Sequence, residues 1–243
     1  MKLKAPASVF SSAGFCPGCG HGLASRLIGE VAEEMGIQEK LITVVDVACC
    51  SFNIDYWNFD TIMAAHGRDI PTAVGVKHIR PDCPVMAYMG DGAAYSIGMA
   101  ETIHAALRND NICVFVINNS VFGMTGGQMA PTTLPGERTA TSPKGKDPKR
   151  YGTLSGVELL KGMDIAYLAR GELVGVAGMT KSKRMIRNAF EHQLAGDGFS
   201  LVELLSPCPT NLNLPPVKAK TFVHEEMTKY FPIGEFINKG GNK

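Results

Sequence analysis

Residues 84–119 read PVMAYMGDGAAYSIGMAETIHAALRNDNICVFVINN, and this stretch decides the fold. Its two ends, PVMAYMG (84–90) and NICVFVINN (111–119), are apolar at nearly every position, which is typical of strands covered on both faces. Between them, AAYSIGMAETIHAALR (93–108) has the pattern of a helix. A strand, a helix and a second strand joined by short connections predict a parallel crossover unit.

The same alternation of buried strands and amphipathic helices continues on both sides of this unit. Upstream, the sequence predicts a helix over 21–35, a strand over 41–48 and a helix over 70–79. Downstream, it predicts a helix over 155–163, a strand over 165–170, a helix over 181–195 and a strand over 198–206. The four-residue spacing of apolar side chains in the first helix predicts a buried stripe at Leu23, Leu27, Val31 and Met35.

Two segments lie outside this pattern. Residues 120–150 have little periodicity and are far longer than the usual connection of about 4–6 residues, which is typical of a functional loop or of a disordered segment. The Pro-rich extension from about residue 207 is expected to wrap the domain surface. We therefore expect one α/β domain over residues 1–243, with a mostly parallel sheet and helices on both faces.

Composition excludes several classes of function. The 24 basic and 23 acidic residues leave a net charge of +1, so neither a nucleic acid nor an anionic membrane is an expected partner. The N-terminal segment lacks the apolar core of a secretion signal, and no run approaches the roughly 20 apolar residues of a spanning helix. The odd number of cysteines, 7, suits a reducing compartment. We expect a cytoplasmic protein without disulfides.

Polar residues bracket the crossover unit. Asp91, in the GDG of 90–92, follows one strand, and Asn119, in the NN of 118–119, follows the next. Each motif alone is a common turn, but neighbouring parallel strands end at the same edge of a sheet, so the two side chains should meet. Their oxygens suit Mg²⁺, and Gly90 and Gly92 would let the backbone approach a diphosphate at the start of the next helix. The pair therefore predicts a metal and diphosphate site.

Cys16 and Cys19 form a C-x-x-C near the start of the chain. Such a pair can be a redox dithiol, half a zinc site or part of an iron–sulfur site. No strand precedes Cys16, which disfavours the dithiol, and no second C-x-x-C completes a zinc ribbon. Cys208 and either Cys49 or Cys50 follow other buried strands, so four thiolates could gather at one edge and hold a [4Fe–4S] cluster. Zinc remains an alternative.

The motifs of the chain resemble those of the small, thiamine-diphosphate-binding β-type subunit of 2-oxoacid:ferredoxin oxidoreductases. The nearest branches are the 2-oxoisovalerate and 2-oxoglutarate enzymes. The resemblance covers about residues 14–215 and rests on FCPGCGHG, AAHGR, GDG, INN, FGMTGGQMAPTT, TSPKGKDP and FSLVELLSPCPTN, in the order of the family. It implies the thiamine-diphosphate-binding fold.

The resemblance also implies roles for individual residues. Thiamine diphosphate and Mg²⁺ would be held by the GDG residues and by Asn119 together with the backbone carbonyl of Val121. Gly123 and Thr125 are further candidates for cofactor contacts, although the second lies in what could be an ordinary Gly-rich turn. His66 of the HGR motif is expected near the cofactor as a catalytic candidate. The [4Fe–4S] ligands would be Cys16, Cys19, Cys49 and Cys208, with Cys50 as the alternative to Cys49.

The reaction implied by the resemblance is the coenzyme A-dependent oxidative decarboxylation of a 2-oxoacid to acyl-CoA and CO₂, with electrons passing through the cluster to ferredoxin. A branched-chain substrate such as 2-oxoisovalerate is favoured, and 2-oxoglutarate is the alternative; Gly126 stands where many relatives carry lysine. Only one GDG-type unit is present, so an α-type subunit should supply the pyrimidine-side domain, with γ and ferredoxin-like δ subunits as further candidates. The competing hypotheses are a non-redox thiamine enzyme with structural zinc and a non-catalytic scaffold.

Overall fold

The computed structural model describes residues 5–10 and 14–240. The strands within these residues are β1 (Ile42–Asp46), β2 (Asp60–Ala64), β3 (Val85–Gly90), β4 (Cys113–Asn118), β5 (Val121–Phe122), β6 (Gln128–Met129), β7 (Tyr167–Glu172), β8 (Ser200–Leu205) and β9 (Gly234–Asn238). The α-helices are α1 (Gly20–Glu34), α2 (Asp69–Ile79), α3 (Met99–Leu107), α4 (Gly156–Leu160), α5 (Gly175–Ala195), α6 (Pro209–Leu212), α7 (Pro216–Phe222) and α8 (Thr228–Tyr230). A 3₁₀ helix covers Cys49–Ile54, and π-helical turns cover Ala93–Ile97 and Val223–Met227.

One sheet of seven strands forms the centre of the molecule, in the order β2-β1-β3-β4-β8-β7-β9. All neighbouring pairs are parallel except β7 and β9. Helices α1 and α5 pack on one face around Tyr88 and Phe115, whereas α2, α3 and α4 pack on the other around Val114 and Val116. The predicted α/β class, with a mostly parallel sheet covered on both faces, is confirmed.

Several predicted boundaries were wrong. The sequence analysis missed β2 and β9, the two edge strands, because DTIMA and GEFIN are partly exposed and lack the all-apolar pattern of the central strands. Helix α1 buries Ala24, Ile28 and Ala32 together with Val31, whereas Leu27 and Met35 of the predicted stripe are only half-buried against the same core. Helix α5 begins at Gly175 rather than 181. The predicted helix over 93–108 starts as a π-helical turn and becomes α-helical after Gly98.

The segment 120–150 contains a two-strand hairpin, β5 with β6, and otherwise turns. It is packed rather than loose: Thr132 and Thr133 are fully buried, and Lys146 is 2 % exposed with its ammonium donating to the carbonyl of Thr133 at 2.6 Å. In the extension after residue 207, the chain forms short helices and then adds β9 to the sheet, so it contributes to the core architecture as well as to the surface. Within the described ranges, no helix has both the length and the apolar character needed to cross a membrane.

Candidate active site

The carboxyl ends of β3 and β4 bring Asp91 and Asn119 to one cleft. The two strands pair in parallel, and Gly90 lies opposite Ile117, so both chains leave the sheet at the same edge. Asp91 is 1 % exposed and Asn119 is 7 % exposed, and both line a cleft together with Val121. Burial raises the pKa of Asp91 to about 7, while the Asn119 backbone amide and the Thr132 hydroxyl oppose that rise. The predicted meeting of the acid and the amide is thus present.

The segment 120–150 packs over the carboxyl ends of β3 and β4 and bonds to the residues there. The sequence analysis did not predict these contacts. The hydroxyl of Thr132 donates a short hydrogen bond to Asp91. The Ser120 hydroxyl, between the two residues proposed to bind the metal, donates to Glu137 at 2.6 Å, and the Leu134 amide donates to the other Glu137 oxygen at 2.9 Å. Ser120 has a φ of 62°, which such contacts help to hold. The loop therefore fixes the turn that carries Asn119 and Val121.

The glycines of the predicted cradle have different environments. A Cβ added at Gly90 would meet nothing within 4 Å, so the backbone there opens onto the cleft and fits the predicted approach of a diphosphate. A Cβ at Gly92 would lie 2.3 Å from the Phe122 ring, so this glycine is needed for packing inside the protein. Thr125 does not line the cleft: it is exposed, and its hydroxyl donates to Gln128 at 2.7 Å within a turn.

Four thiols gather beside the cleft. Cys16 and Cys19 lie at the start of α1, Cys49 begins the 3₁₀ helix after β1, and Cys208 follows β8. Their charges act on one another: Cys16, Cys49 and Cys208 all raise the pKa of Cys19, and Cys208 and Cys16 raise that of Cys49. We call these four residues the thiol quartet. Cys50 is instead fully buried in the core that lies under α1 and α5.

Two hydrogen-bond donors lie next to sulfur atoms of the thiol quartet. The Asn211 side chain donates to Cys208 Sγ at 3.3 Å, and the His21 backbone amide lowers the pKa of Cys19. Burial dominates, however, and raises the pKa of Cys19 to about 12 and that of Cys49 to about 11. Thiolates here therefore need a cation for charge balance. Within 5–10 and 14–240, no three His, Cys, Asp or Glu side chains are arranged to hold a single metal ion.

Gly123 joins the two halves of the site. A Cβ at this position would lie 3.6 Å from Cys49 Sγ and 3.8 Å from Asn119 Nδ2. Its carbonyl accepts a hydrogen bond from Asn211 Nδ2 at 3.3 Å, and that same amide group donates to Cys208. Gly123 therefore lies between Cys49 of the thiol quartet and Asn119, the residue predicted to bind the metal.

His66 lines the same cleft and is held from behind. Its Nδ1 lies 2.8 Å from both carboxylate oxygens of Asp46, a fully buried residue at the end of β1 that the sequence analysis missed. Its ring packs edge to face against Phe122. The neighbouring Arg68 points elsewhere: it donates to the Ile97 carbonyl at 3.2 Å and pairs with Glu101 at 2.8 Å. The HGR motif thus supplies one residue to the cleft and one to packing.

A buried ion pair anchors the strand that ends at the site. Arg170 and Glu203 are both fully buried, and the guanidinium Nε donates to the Glu203 carboxylate at 2.5 Å. Glu203 also accepts a hydrogen bond from Asn118 Nδ2 at 2.8 Å. The first asparagine of the NN motif is therefore fixed inward, while the second faces the cleft. Nothing in the local sequence indicates this division, because Arg170 and Glu203 are distant in the chain.

Residues 46–204 match the family model described as thiamine pyrophosphate enzyme, C-terminal TPP binding domain, where thiamine pyrophosphate is another name for thiamine diphosphate. The chain belongs to the thiamine pyrophosphate enzymes. The matched range begins at Asp46 and contains both strands that bracket the cleft. The predicted resemblance to β-type subunits of 2-oxoacid:ferredoxin oxidoreductases is confirmed by relatives within this enzyme family.

The chain is 43% identical over 227 residues to "Ketoisovalerate oxidoreductase subunit VorA" of Methanothermobacter thermautotrophicus, covering 93% of this chain and 48% of that relative. It therefore spans about half the length of this relative. It is 35% identical over 204 residues to "2-oxoglutarate synthase subunit KorB" of Archaeoglobus fulgidus, covering 83% of this chain and 72% of the relative.

One solved structure shares the fold of this chain. It is the 2-oxoglutarate:ferredoxin oxidoreductase from Magnetococcus marinus, with 2-oxoglutarate, coenzyme A and succinyl-CoA bound. The TM-score is 0.79 at 22% identity, and the match covers 100% of this chain and 87% of that chain. At this identity the likeness concerns the fold alone.

Proposed function

We propose that this chain is the thiamine-diphosphate-binding subunit of a 2-oxoacid:ferredoxin oxidoreductase. The complete enzyme would decarboxylate a 2-oxoacid oxidatively, transfer the acyl group to coenzyme A and pass two electrons, one at a time, through a [4Fe–4S] cluster to ferredoxin. The similarity to a relative named ketoisovalerate oxidoreductase favours a branched-chain substrate, and 2-oxoglutarate is the alternative. The unpaired state of all seven cysteines is consistent with a cytoplasmic location.

The observation that carries this proposal is the contact of the two half-sites at Gly123. A non-redox thiamine enzyme does not require thiols beside its metal ligands. Single-electron transfer, by contrast, is faster when the electron acceptor lies close to the reacting centre. A Cβ placed on Gly123 would lie 3.6 Å from Cys49 Sγ and 3.8 Å from Asn119 Nδ2, which supports a cluster beside the proposed metal site.

The residues present fit thiamine diphosphate and Mg²⁺. Asp91 is a buried carboxyl group with no cationic hydrogen-bond partner among residues 5–10 and 14–240, and Gly90 leaves open space beside it. Asp91, Asn119 and the Val121 carbonyl would hold Mg²⁺, whose preferred ligands are such oxygens. When bound, thiamine diphosphate supplies a carbanion that attacks the keto carbon of the substrate. Thr132 would keep one Asp91 oxygen turned away from the metal, and His66 would face the substrate.

The thiol quartet fits a [4Fe–4S] cluster better than zinc. Zinc needs four ligands at about 2.3 Å from one centre, and no group of three candidate side chains in the described part of the chain is arranged for a single ion. In a cubane cluster each thiolate binds a different iron, so the sulfurs can lie farther apart. We propose Cys16, Cys19, Cys49 and Cys208 as the ligands. Cys50 is directed into the core and is the poorer candidate.

An α-type partner subunit would complete the site. Two large apolar side chains near the cleft are strongly exposed in this chain: Val47 and Met124 each expose 47% of their surface. Exposed apolar residues of this size around a site are typical of a covered interface. The proposed partner would bury them and supply the domain that binds the aminopyrimidine ring of the cofactor.

The test is anaerobic purification of the native assembly, followed by metal and sulfide analysis and a panel of 2-oxoacids. We expect iron with acid-labile sulfide, a co-purifying α-type subunit, and coenzyme A-dependent ferredoxin reduction that is fastest with 2-oxoisovalerate. Cys208→Ser should lose the cluster and ferredoxin reduction while retaining thiamine diphosphate. Cys83→Ser, a buried cysteine outside the quartet, is the matched control. Zinc in place of iron, or ferredoxin reduction that survives in Cys208→Ser, would contradict the proposal.

A further inference from the structure

The carboxyl group of Asp69 is buried without an ordinary partner. Asp69 is the first residue of α2 and is fully buried. Within residues 5–10 and 14–240, no N–H or O–H group donates a hydrogen bond to either of its side-chain oxygens. A buried carboxylate in that state is strongly unfavourable, so its persistence requires an explanation.

The carboxyl group of Asp46 lies close enough to that of Asp69 to act on it through its charge and through a side-chain hydrogen bond. Two carboxyl groups can form a hydrogen bond only if one of them carries a proton. Burial, followed by the charge of Asp46, raises the pKa of Asp69 to about 8. The start of a helix favours negative charge, but here burial outweighs that effect. The other titratable neighbour, the Cys50 thiol, brings no positive charge.

Asp46 connects this group to the cleft. Its carboxylate receives the Gly67 amide at 3.2 Å and lies 2.8 Å from His66 Nδ1 through both oxygens. The turn that carries His66 cannot shift easily, because a Cβ on Gly67 would lie 2.8 Å from the Gly98 nitrogen, directly after the π-helical turn. His66 itself is 30% exposed at the side chain, on the cleft side.

We propose that the carboxyl group of Asp69 donates a proton in a hydrogen bond to Asp46, and that the two residues form a positioning pair that holds the Nδ1–H of His66 and leaves its Nε2 free toward the cofactor cleft. The protonated Asp69 carboxyl group donates a hydrogen bond to an oxygen of Asp46. This makes Asp46 less basic, so the proton of the His66 ring stays on Nδ1. The free Nε2 can then accept one proton from a hydroxyl derived from the substrate keto oxygen and return it. This inference rests on the proposed function for the identity of that substrate.

The test uses the native assembly with single substitutions in this chain. Asp69→Asn keeps the shape and a hydrogen-bond donor toward Asp46, so kcat should stay within about 3-fold of wild type. Asp46→Asn replaces one of the two oxygens that accept from His66 Nδ1 and the Gly67 amide by an NH₂ group. We therefore expect kcat to fall by about 100-fold or more, while KM, the thiamine diphosphate content and the iron content stay unchanged. Asp60→Asn, on the exposed edge strand β2, is the matched control and should behave as wild type.

An infrared difference spectrum at pH 7 gives a readout that does not depend on activity. Wild type minus Asp69→Asn should contain the carbonyl band of one protonated carboxylic acid, shifted in D₂O. The inference is overturned if only carboxylate bands differ, if Asp69→Asn loses as much activity as Asp46→Asn, or if Asp46→Asn keeps full kcat. Should Asp46→Asn fail to assemble, the spectrum and kinetics of Asp69→Asn still decide. If wild type turns over no 2-oxoacid, the proposed function fails, but the spectrum still tests the protonation of Asp69.

Discussion

Replacing Thr132 by valine exchanges its hydroxyl for a methyl group and so removes one hydrogen-bond donor from the proposed metal site. The two side chains have the same shape, so no cavity forms. Thr132 is fully buried and Asp91 is 1 % exposed, so water cannot replace the lost donor. Hydrogen bonds to charged groups contribute about 1.5–3 kcal/mol, which corresponds to a roughly 10- to 150-fold change in an equilibrium constant. Because burial already favours the protonated form of Asp91, losing this donor should weaken Mg²⁺-dependent thiamine diphosphate binding by that factor.

The assay is isothermal titration calorimetry of thiamine diphosphate with Mg²⁺ into the cofactor-free assembly. Thr132→Ser retains the hydroxyl and should bind within about 3-fold of wild type. Thr180→Val makes the same change at an exposed threonine in α5 and should have no effect. The reasoning is refuted if Thr132→Val binds as tightly as wild type, or if Thr132→Ser is weakened equally.

Three further substitutions test the structure around the site. Arg170→Met should lower the free energy of unfolding by about 3–5 kcal/mol, since it leaves Glu203 buried and unpaired; denaturant titration should show a smaller loss when Glu203→Gln is added. Burial raises the pKa of Glu137 to about 7, so the folded state binds more protons than the unfolded state between about pH 4.5 and 7, and Glu137 makes stability fall as pH rises through this range. Thermal melts should show that Glu137→Gln flattens this slope, and an unchanged slope would contradict the assignment. Gly92 has helical backbone angles, so Gly92→Ala should destabilise by about 1–3 kcal/mol only through its clash with Phe122; adding Phe122→Leu should restore much of that loss.

The central fold and the two half-sites could be predicted because they depend on short-range rules. All-apolar strands alternating with helices imply a parallel sheet, and parallel strands end at one edge. That reasoning is sufficient to bring Asp91 to Asn119 and to gather cysteines that follow β1 and β8. These rules apply without information about contacts between side chains that are distant in the sequence.

The missed features all depend on long-range contacts. The sequence around Thr132 does not indicate its hydrogen bond to Asp91, which is 41 residues away in the chain. In the same way, the sequence around Asp46 does not indicate its contact with His66. The predicted helix began only at residue 181, whereas α5 already includes Gly178; a Cβ there would lie 2.8 Å from Glu172, so that glycine allows the helix to approach β7 closely. Small residues in α1 are buried for a similar reason, which shifted the buried face away from the predicted leucines.

Asn118 bonds to Glu203 inside the protein, whereas Asn119 lines the cleft. Because the two residues have different partners, we expect β4 not to tolerate a change in length. Neighbouring residues along a strand point to opposite sides, so a one-residue shift changes which residue faces Glu203 and which faces the cleft. An insertion in β4 would place Asn118 at the cleft position and Ile117 opposite Glu203, which would then lose a hydrogen bond in a place that water does not reach. A deletion would instead place Asn119 opposite Glu203 and Ser120 at the cleft position, so the cleft would lose the amide proposed to bind the metal. A shift in one direction therefore harms folding, and a shift in the other harms cofactor binding.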